Sequence, residues 1–486
     1  MSVLPSASTA PDDRTPDRHA GSVEGRGAEA DRAVRPNQVL AIVSLGIVLA
    51  NLDLFIVNVA LPDIARDFAG SGLDRLSWIL NGYAIVYAAL LVFFGRLAER
   101  YRRDRSFLLG VALFTFASAA CAAAPSVEAL VAFRLVQAAG AALMTPTSLG
   151  LLLATFPPEG RGGAVRFWTA IGGFAAALGP VVGGLLVAWS WRWIFLVNLP
   201  IGLLALVVGL WKLPAVPGHA ILRPRVWGAL LVTLGVGILT YGIMKSPEWG
   251  WSSGPLALTL GTALVLFGLF VRDCLRSTNP LVDLSLFRIR AFTGSALILV
   301  PFSIAFGAML LSIALWLQDG WGWSGLKAGL AIAPGPFVVP LTSLFLAGRL
   351  IARLGPAPVV ALGVVSFAAC FGWWAAMVGP EPSMAVAVVG MLLSGLGVGL
   401  TVPTLMGAGL ATLPASSFAT GSGILNMVRQ TAIALGVAIL VAVIGGPDTV
   451  SGRLAAYEHA WWLMGAVALA GLIPLPLLRR RTQGRA

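Results

Sequence analysis

Fourteen apolar stretches follow one another along this chain, each close to the length that crosses a bilayer as a helix. They fall at roughly 39–61, 76–97, 106–124, 127–153, 163–188, 192–211, 226–245, 254–272, 291–317, 326–348, 356–378, 383–408, 418–444 and 459–478. About 20 apolar residues, each rising 1.5 Å, span the hydrocarbon layer. No water reaches the backbone there, so each stretch must satisfy its own N–H and C=O groups, which a helix does. The expected fold class is an all-α integral membrane protein with 14 transmembrane helices. Composition agrees: 58% of residues are hydrophobic, 11% are charged and mean hydropathy is +0.87, whereas soluble domains carry about 25% charged residues.

The net charge of +12 speaks of topology rather than of a nucleic-acid partner, because the basic residues sit in the short breaks. An even number of spans puts both chain ends on one side. The outer segments then hold only Arg66, Arg75, Arg192, Lys245, Lys327 and Arg453. Arg134 and Arg429 lie within spans, and the other twenty-five basic residues fall in tails and inner loops. That bias is the positive-inside pattern, with both termini cytoplasmic. Residues 1–37 are polar and rich in Asp, Arg, Ser, Pro and Gly, and are expected to form a disordered cytoplasmic tail. Residues 479–486 are expected as a basic cytoplasmic tail. Cys121, Cys274 and Cys370 lie in or beside apolar runs without CxxC spacing and read as packing residues. Arginine outnumbers lysine thirty to three, a high-GC bacterial composition, so the expected location is a bacterial plasma membrane.

The chain also repeats itself. Residues 146–157, PTSLGLLLATFP, parallel 403–414, PTLMGAGLATLP, at an offset of 257, and 177–179 parallel 434–436 at the same offset. GRLAER at 95–100 echoes GRLIAR at 348–353, offset by 253. Spans one to six therefore correspond to spans nine to fourteen. The expected organisation is an N-terminal six-helix bundle (38–211), a two-helix insert with cytoplasmic linkers (212–290) and a C-terminal six-helix bundle (291–478). Transporters built from two such halves hold their cargo near the midplane, where the halves meet.

A few polar residues stand out against this apolar background. Asp53 lies inside the first span with Asn51 and Asn58 close by, and of 21 acidic residues it alone sits well inside a span. A carboxylate at bilayer depth costs a few kcal/mol and marks an ion or substrate pathway. Arg134 and Gln137 share a face of span four, where the arginine either clamps two helices or handles charge. Counting along the helices puts Asp53 about 13 Å and Arg134 about 10 Å from the same outer surface, at similar depth. In span thirteen Asn426, Arg429 and Gln430 share a face, as a polar seam between helices or as a cavity wall on which Arg429 favours neutral or anionic cargo. Gly95 followed by Glu99 and by Arg100 and Arg103 closes the inner end of span two, where the charges fix topology or latch a neighbouring helix. Gly179 and Gly183 form a small-xxx-small pair in span five, and Pro180 removes a backbone donor and bends the helix. Gln318 ends span nine among Trp316, Trp321 and Trp323, which read as an interfacial aromatic belt. The sequence has no P-loop, HExxH, Cys/His cluster or Ser-His-Asp candidate, so no metal site, cofactor or enzymatic activity is expected.

These segments resemble the major facilitator superfamily. Residues 95–105, GRLAERYRRDR, are similar to its loop G-x-L-a-D-r-x-G-r-K. Gly95, Leu97, Glu99 (for Asp), Arg100 and Arg103 match, while Arg102 replaces a glycine and Asp104 a basic residue. Arg134 and Gln137 fit its R-x-x-Q-G signature, with Ala138 for the glycine. Gly179, Pro180, Gly183 and Gly184 resemble the antiporter signature of its drug exporters. WRWIFLVNLPIG at 191–202, LDLFIVNVALP at 52–62 and NMVRQT at 426–431 are similar to the fourteen-span drug:proton antiporters, the EmrB/QacA subfamily, over about 38–480. The resemblance implies a major facilitator fold in which spans one and four are neighbours, and a part for Arg134 in proton coupling. Burial penalises a carboxylate's charge and a nearby guanidinium favours it, so moving Arg134 relative to Asp53 would load or release a proton. Asn51, Asn58, Gln137, Asn426, Arg429 and Gln430 are expected to line the substrate cavity. Gly95, Glu99, Arg100, Arg103, Gly179, Pro180, Gly183 and Gly184 are expected to serve the gates.

The function expected is proton-coupled antiport of an amphipathic small molecule, an antibiotic or other drug, outward across the plasma membrane by alternating access. It would be driven by the proton gradient, need no cofactor and work as a monomer, with protons, cargo and the lipid bilayer as its partners. Some multidrug members carry an acidic residue in the tenth span for cations. Here 326–348 has none and Asp319 precedes it near the outer surface, so dications are expected to be poor cargo. Alternatives are a proton-coupled metabolite permease or importer of the same fold and, more distantly, a non-transporting membrane sensor or an enzyme.

Overall fold

The computed structural model describes residues 36–68, 72–217, 226–277, 280–413, 418–445 and 450–478. The expected tails lie outside these residues, apart from Pro36 and Asn37, which open the first helix. The helices are α1 (Pro36–Asp67), α2 (Leu73–Arg100), α3 (Arg103–Ala122), α4 (Val127–Thr155), α5 (Pro158–Val187), α6 (Trp193–Lys212), α7 (Val226–Trp249) and α8 (Gly254–Arg276). They continue as α9 (Arg290–Gly320), α10 (Gly325–Leu354), α11 (Pro356–Met377), α12 (Met384–Leu410), α13 (Phe418–Ile444) and α14 (Val450–Ala470). Among the described residues there is no strand. Each expected apolar stretch falls on one helix, except that the last, 459–478, outruns α14 and ends in a separate 3-10 turn at Leu475–Leu478. Thirteen regions of the described chain are long and apolar enough to cross a membrane, and α5, at 30 residues, completes the all-α membrane fold. In the orientation expected from the basic residues, the outer end of the bundle is the one where α1 gives way to α2, and the inner end lies opposite.

Three helices depart from regularity, each for a local reason. α6 breaks at Val197, between the helical segments Trp193–Leu196 and Asn198–Lys212. Pro200 lacks the N–H that would bond the Leu196 carbonyl, so the helix loosens in the turn before it. α9 ends in a π-turn at Trp316–Gly320, closed by the Trp321 N–H on the Trp316 carbonyl at 3.0 Å. α10 carries Pro334, Pro336 and Pro340, each leaving a carbonyl one turn back without its donor, and a second π-turn follows at Thr342–Ala347.

One packing scheme occurs twice. α1 lies on α5, and α3 on α4 and α6; in the second half α9 lies on α13, and α11 on α12 and α14. Glycines permit the closest crossings at equivalent places. A Cβ on Gly140 would lie 2.6 Å from the Phe114 nitrogen, and one on Gly397 would lie 2.8 Å from the Phe367 nitrogen. Gly140 and Gly397 are offset by 257, and Phe114 and Phe367 by 253, the same two offsets that the sequence repeat shows. The halves meet along two seams, α2 with α13 and α5 with α10, which exchange under the repeat. α7 and α8 pack on each other, and α7 lies against both α2 and α13. α7 and α8 therefore flank one seam.

The aromatic-belt expectation needs correcting. Trp316, Trp321 and Trp323 are at most 7% exposed and sit inside the protein. Trp316 packs on Tyr457 (5.1 Å between centroids) and Trp461 (6.0 Å) of α14, and the Trp321 indole donates to the Gly379 carbonyl at 2.8 Å. The π-turn folds this segment inward, where large rings bury more apolar area than an interface would allow.

Candidate functional site

Asp53 and Arg134 are 0% and 1% exposed. Arg134 Nη1 donates to Asp53 Oδ2 in a fully buried ion pair. The other carboxylate oxygen, Oδ1, accepts from Gln137 Nε2 at 2.9 Å and from Asn198 Nδ2 at 3.2 Å. Gln137 also donates to Ser118 Oγ at 2.8 Å, and its Oε1 accepts from Arg134 Nη1 at 2.5 Å. Arg134 Nε reaches the Ile79 carbonyl at 3.2 Å, and its guanidinium lies 4.1 Å from the Tyr83 ring centroid, a cation–π arrangement. Helices α1, α2, α3, α4 and α6 all contribute. With one negative and one positive charge, the cluster is neutral overall.

Local sequence explains the convergence. Gly140 brings α4 onto α3 at Phe114, and Ser118, one turn further along α3, then meets Gln137. Gly202, one turn beyond Asn198, leaves room for Thr115 where a Cβ would collide with its hydroxyl. α6 can therefore lie close enough to α3 for Asn198 to reach Asp53.

The glycine signature of α5 has two faces. A Cβ on Gly179 would lie 2.7 Å from Phe55 Cβ, and one on Gly183 would lie 2.9 Å from Ile56 Cγ1. That stripe packs α5 on α1, one turn from Asp53. The neighbouring stripe faces the other half: a Cβ on Gly184 would overlap the Gly325 backbone, and one on Gly329 would overlap the Pro180 carbonyl. Gln318 adds a second contact between the halves, donating to the Val59 carbonyl at 3.0 Å. These contacts all lie toward the outer end.

At the inner end, Gly95 lies against Pro146 of α4, where a Cβ would sit 3.7 Å from Pro146 Cβ, and Arg103 Nη1 reaches the Gly150 carbonyl at 3.4 Å. Arg102 and Asp104, the two departures from the family loop, pair with each other at 2.7 Å. Asp104 Oδ1 also accepts from the Val216 N–H at 3.2 Å, tying the loop to the linker after α6. Arg96 donates to the Pro280 carbonyl of the linker before α9. Arg100 lies over the Tyr101 ring at 6.0 Å. The side chain of Glu99 lies outside the described residues.

The expected cavity residues do not all face one space. Asn51, Asn58 and Asn426 donate to carbonyls of their own helices, Ile47, Leu54 and Ser422, at 2.9, 2.9 and 3.0 Å. Gln137 belongs to the buried charge cluster. Arg429 is half-buried, with Nε unpartnered, and Gln430 Oε1 is likewise buried without a partner. A cavity of about 660 Å³ opens at the outer ends of α1, α9 and α14, lined by Arg66, Gln318, Asp319, Arg453 and Tyr457 among others. Sequence reasoning named Asp53, Arg134 and Gln137 but missed Ser118, Asn198 and Tyr83. Asn198 had one signal, a carboxamide within the quoted 191–202 phrase.

The family described as the Major Facilitator Superfamily matches residues 43–437. The chain is 36% identical over 411 residues to the multidrug resistance protein Stp of Mycobacterium tuberculosis (strain CDC 1551 / Oshkosh), covering 84% of this chain and 76% of that one. It is 32% identical over 420 residues to the tetracenomycin C resistance and export protein of Streptomyces glaucescens, covering 85% and 76%. Among solved structures, a D-xylose-proton symporter aligns with a TM-score of 0.66 at 15% identity, covering 93% of this chain and 99% of that one, a likeness of fold.

Proposed function

The chain belongs to the Major Facilitator Superfamily, and from that premise we propose that it exports an amphipathic small molecule in exchange for protons. The observation that carries the reading is the buried Asp53–Arg134 pair. A buried carboxylate held by a guanidinium can take up a proton when the two separate and release it when they rejoin. Asp53 is the proton site and Arg134 its partner; Gln137 positions both. The relatives named for multidrug resistance and for tetracenomycin C export support outward transport of a drug-like cargo. The inner end faces the cytoplasm, as the distribution of basic residues indicates.

Alternating access follows from the seams. Gly184 and Gly329 let the halves close at the outer end, while Gly179 and Gly183 keep α5 fixed on α1. The loop around Gly95, Arg100 and Arg103 serves the inner end. Arg429, with Asn426 and Gln430 on α13, faces the cargo and favours neutral or anionic molecules over cations. Everted membrane vesicles test the direction of transport. With the proton gradient established, addition of a transported drug should dissipate it; a gradient that responds only in right-side-out vesicles would favour an importer.

A further inference from the structure

Asn198 differs from every other partner of Asp53 in having one end of its amide unused. Its Nδ2 donates to Asp53 Oδ1 at 3.2 Å and to Ser118 Oγ at 3.4 Å, while its Oδ1 is buried with no partner. The residue itself is 0% exposed. An idle buried carbonyl costs about 1–3 kcal/mol, and this one is an open acceptor beside the carboxylate.

The other groups bonded to Asp53, and Ser118 beside it, have no acceptor to spare. Gln137 Oε1 is taken by Arg134 Nη1 at 2.5 Å. Ser118 donates to the Phe114 carbonyl at 2.8 Å and accepts from Gln137 and Asn198. Arg134 has only donors. The ionisable groups facing the carboxylate are Arg134 from α4, Tyr83 from α2 and Cys121 from α3, the last 4.0 Å from Gln137 Oε1. Among the described residues, α5 and α6 bring none to it; their contacts with the cluster are Gly179, Gly183, Phe195 and Asn198.

We propose that Asn198 is a positioning residue that holds Asp53 in both protonation states by turning its amide. With Asp53 ionised, Nδ2 donates to the carboxylate. When a proton from water forms the new O–H bond on Oδ1 of Asp53, a half-turn of the amide presents Asn198 Oδ1 as its acceptor. The turn exchanges which end of the amide is idle and leaves the side-chain shape unchanged. This inference rests on Asp53 being the proton site.

The test is infrared titration of the purified full-length protein, following the carbonyl band of a protonated carboxyl group that is absent in Asp53→Asn. In the same spectra the side-chain carbonyl band of Asn198 is followed, identified by its loss in Asn198→Leu. As the Asp53 band appears on acidification, the idle Asn198 carbonyl gains a donor, so its band should shift to lower frequency. Should the leucine variant not fold, Asn198→Ser identifies the band in the same way. An Asn198 band that stays in place while the Asp53 band appears overturns the inference and leaves Asn198 as a donor only. A band that titrates unaltered in Asp53→Asn overturns instead the assignment of Asp53, a separate failure.

Discussion

A guanidinium and a carboxylate buried together are unequal when one is removed. Arginine stays charged at every accessible pH, so a leucine at Asp53 leaves Arg134 as an uncompensated cation beside the Tyr83 ring. A leucine at Arg134 leaves a carboxylate that can neutralise itself by taking a proton. Breaking a buried pair costs about 3–5 kcal/mol, and the cost should fall unevenly. At mildly acidic pH, thermal unfolding in detergent should show Asp53→Leu losing more stability than Arg134→Leu; equal losses would mean that the pair's charge does not matter to the fold. The pair was legible in the sequence because a charge within an apolar run has few reasons to be there. Ser118, Tyr83 and Asn198 were not, since each sits on another helix and has a bland role available at its own position.

On the scale of one helix, α5 shows that adjacent stripes of small residues can do different work. Gly179 and Gly183 meet Phe55 and Ile56 within one half, whereas Gly184 and Pro180 meet Gly325 and Gly329 across the seam. A side chain at Gly329 should therefore hold the outer seam apart without unfolding either half. Cys121, Cys274 and Cys370 are all buried, so spin labels can be placed on cysteines at the exposed Trp189 and Lys327 positions. The label distance should increase in Gly329→Leu and transport should fall at least tenfold. An unchanged distance would show that the seam is not a gate. Gly140→Leu, inside one half, should instead destabilise by about 1–3 kcal/mol or more, as overpacking does. Sequence spacing revealed the small-xxx-small pair, but spacing cannot tell which neighbour a stripe will meet.

Across the whole molecule, the repeat places the neutral Asp53–Arg134 cluster in the first half and the unpaired Nε of Arg429 in the second. The fourteen helices and the two offsets were readable from the sequence because bilayer thickness fixes length and a shared register survives divergence. The seams were not, because contacts between halves involve residues far apart in the chain. If Arg429 faces the cargo, Arg429→Gln should raise sensitivity to anionic drugs at least tenfold more than to neutral ones in a growth assay; equal changes would make it a structural residue. Proteoliposomes carrying wild-type protein or Asp53→Asn, with an interior pH indicator, test the proton site most directly. Wild type should move protons against the cargo gradient, and Asp53→Asn, inserted to the same level, should move none. Wild-type coupling in Asp53→Asn would contradict the assignment.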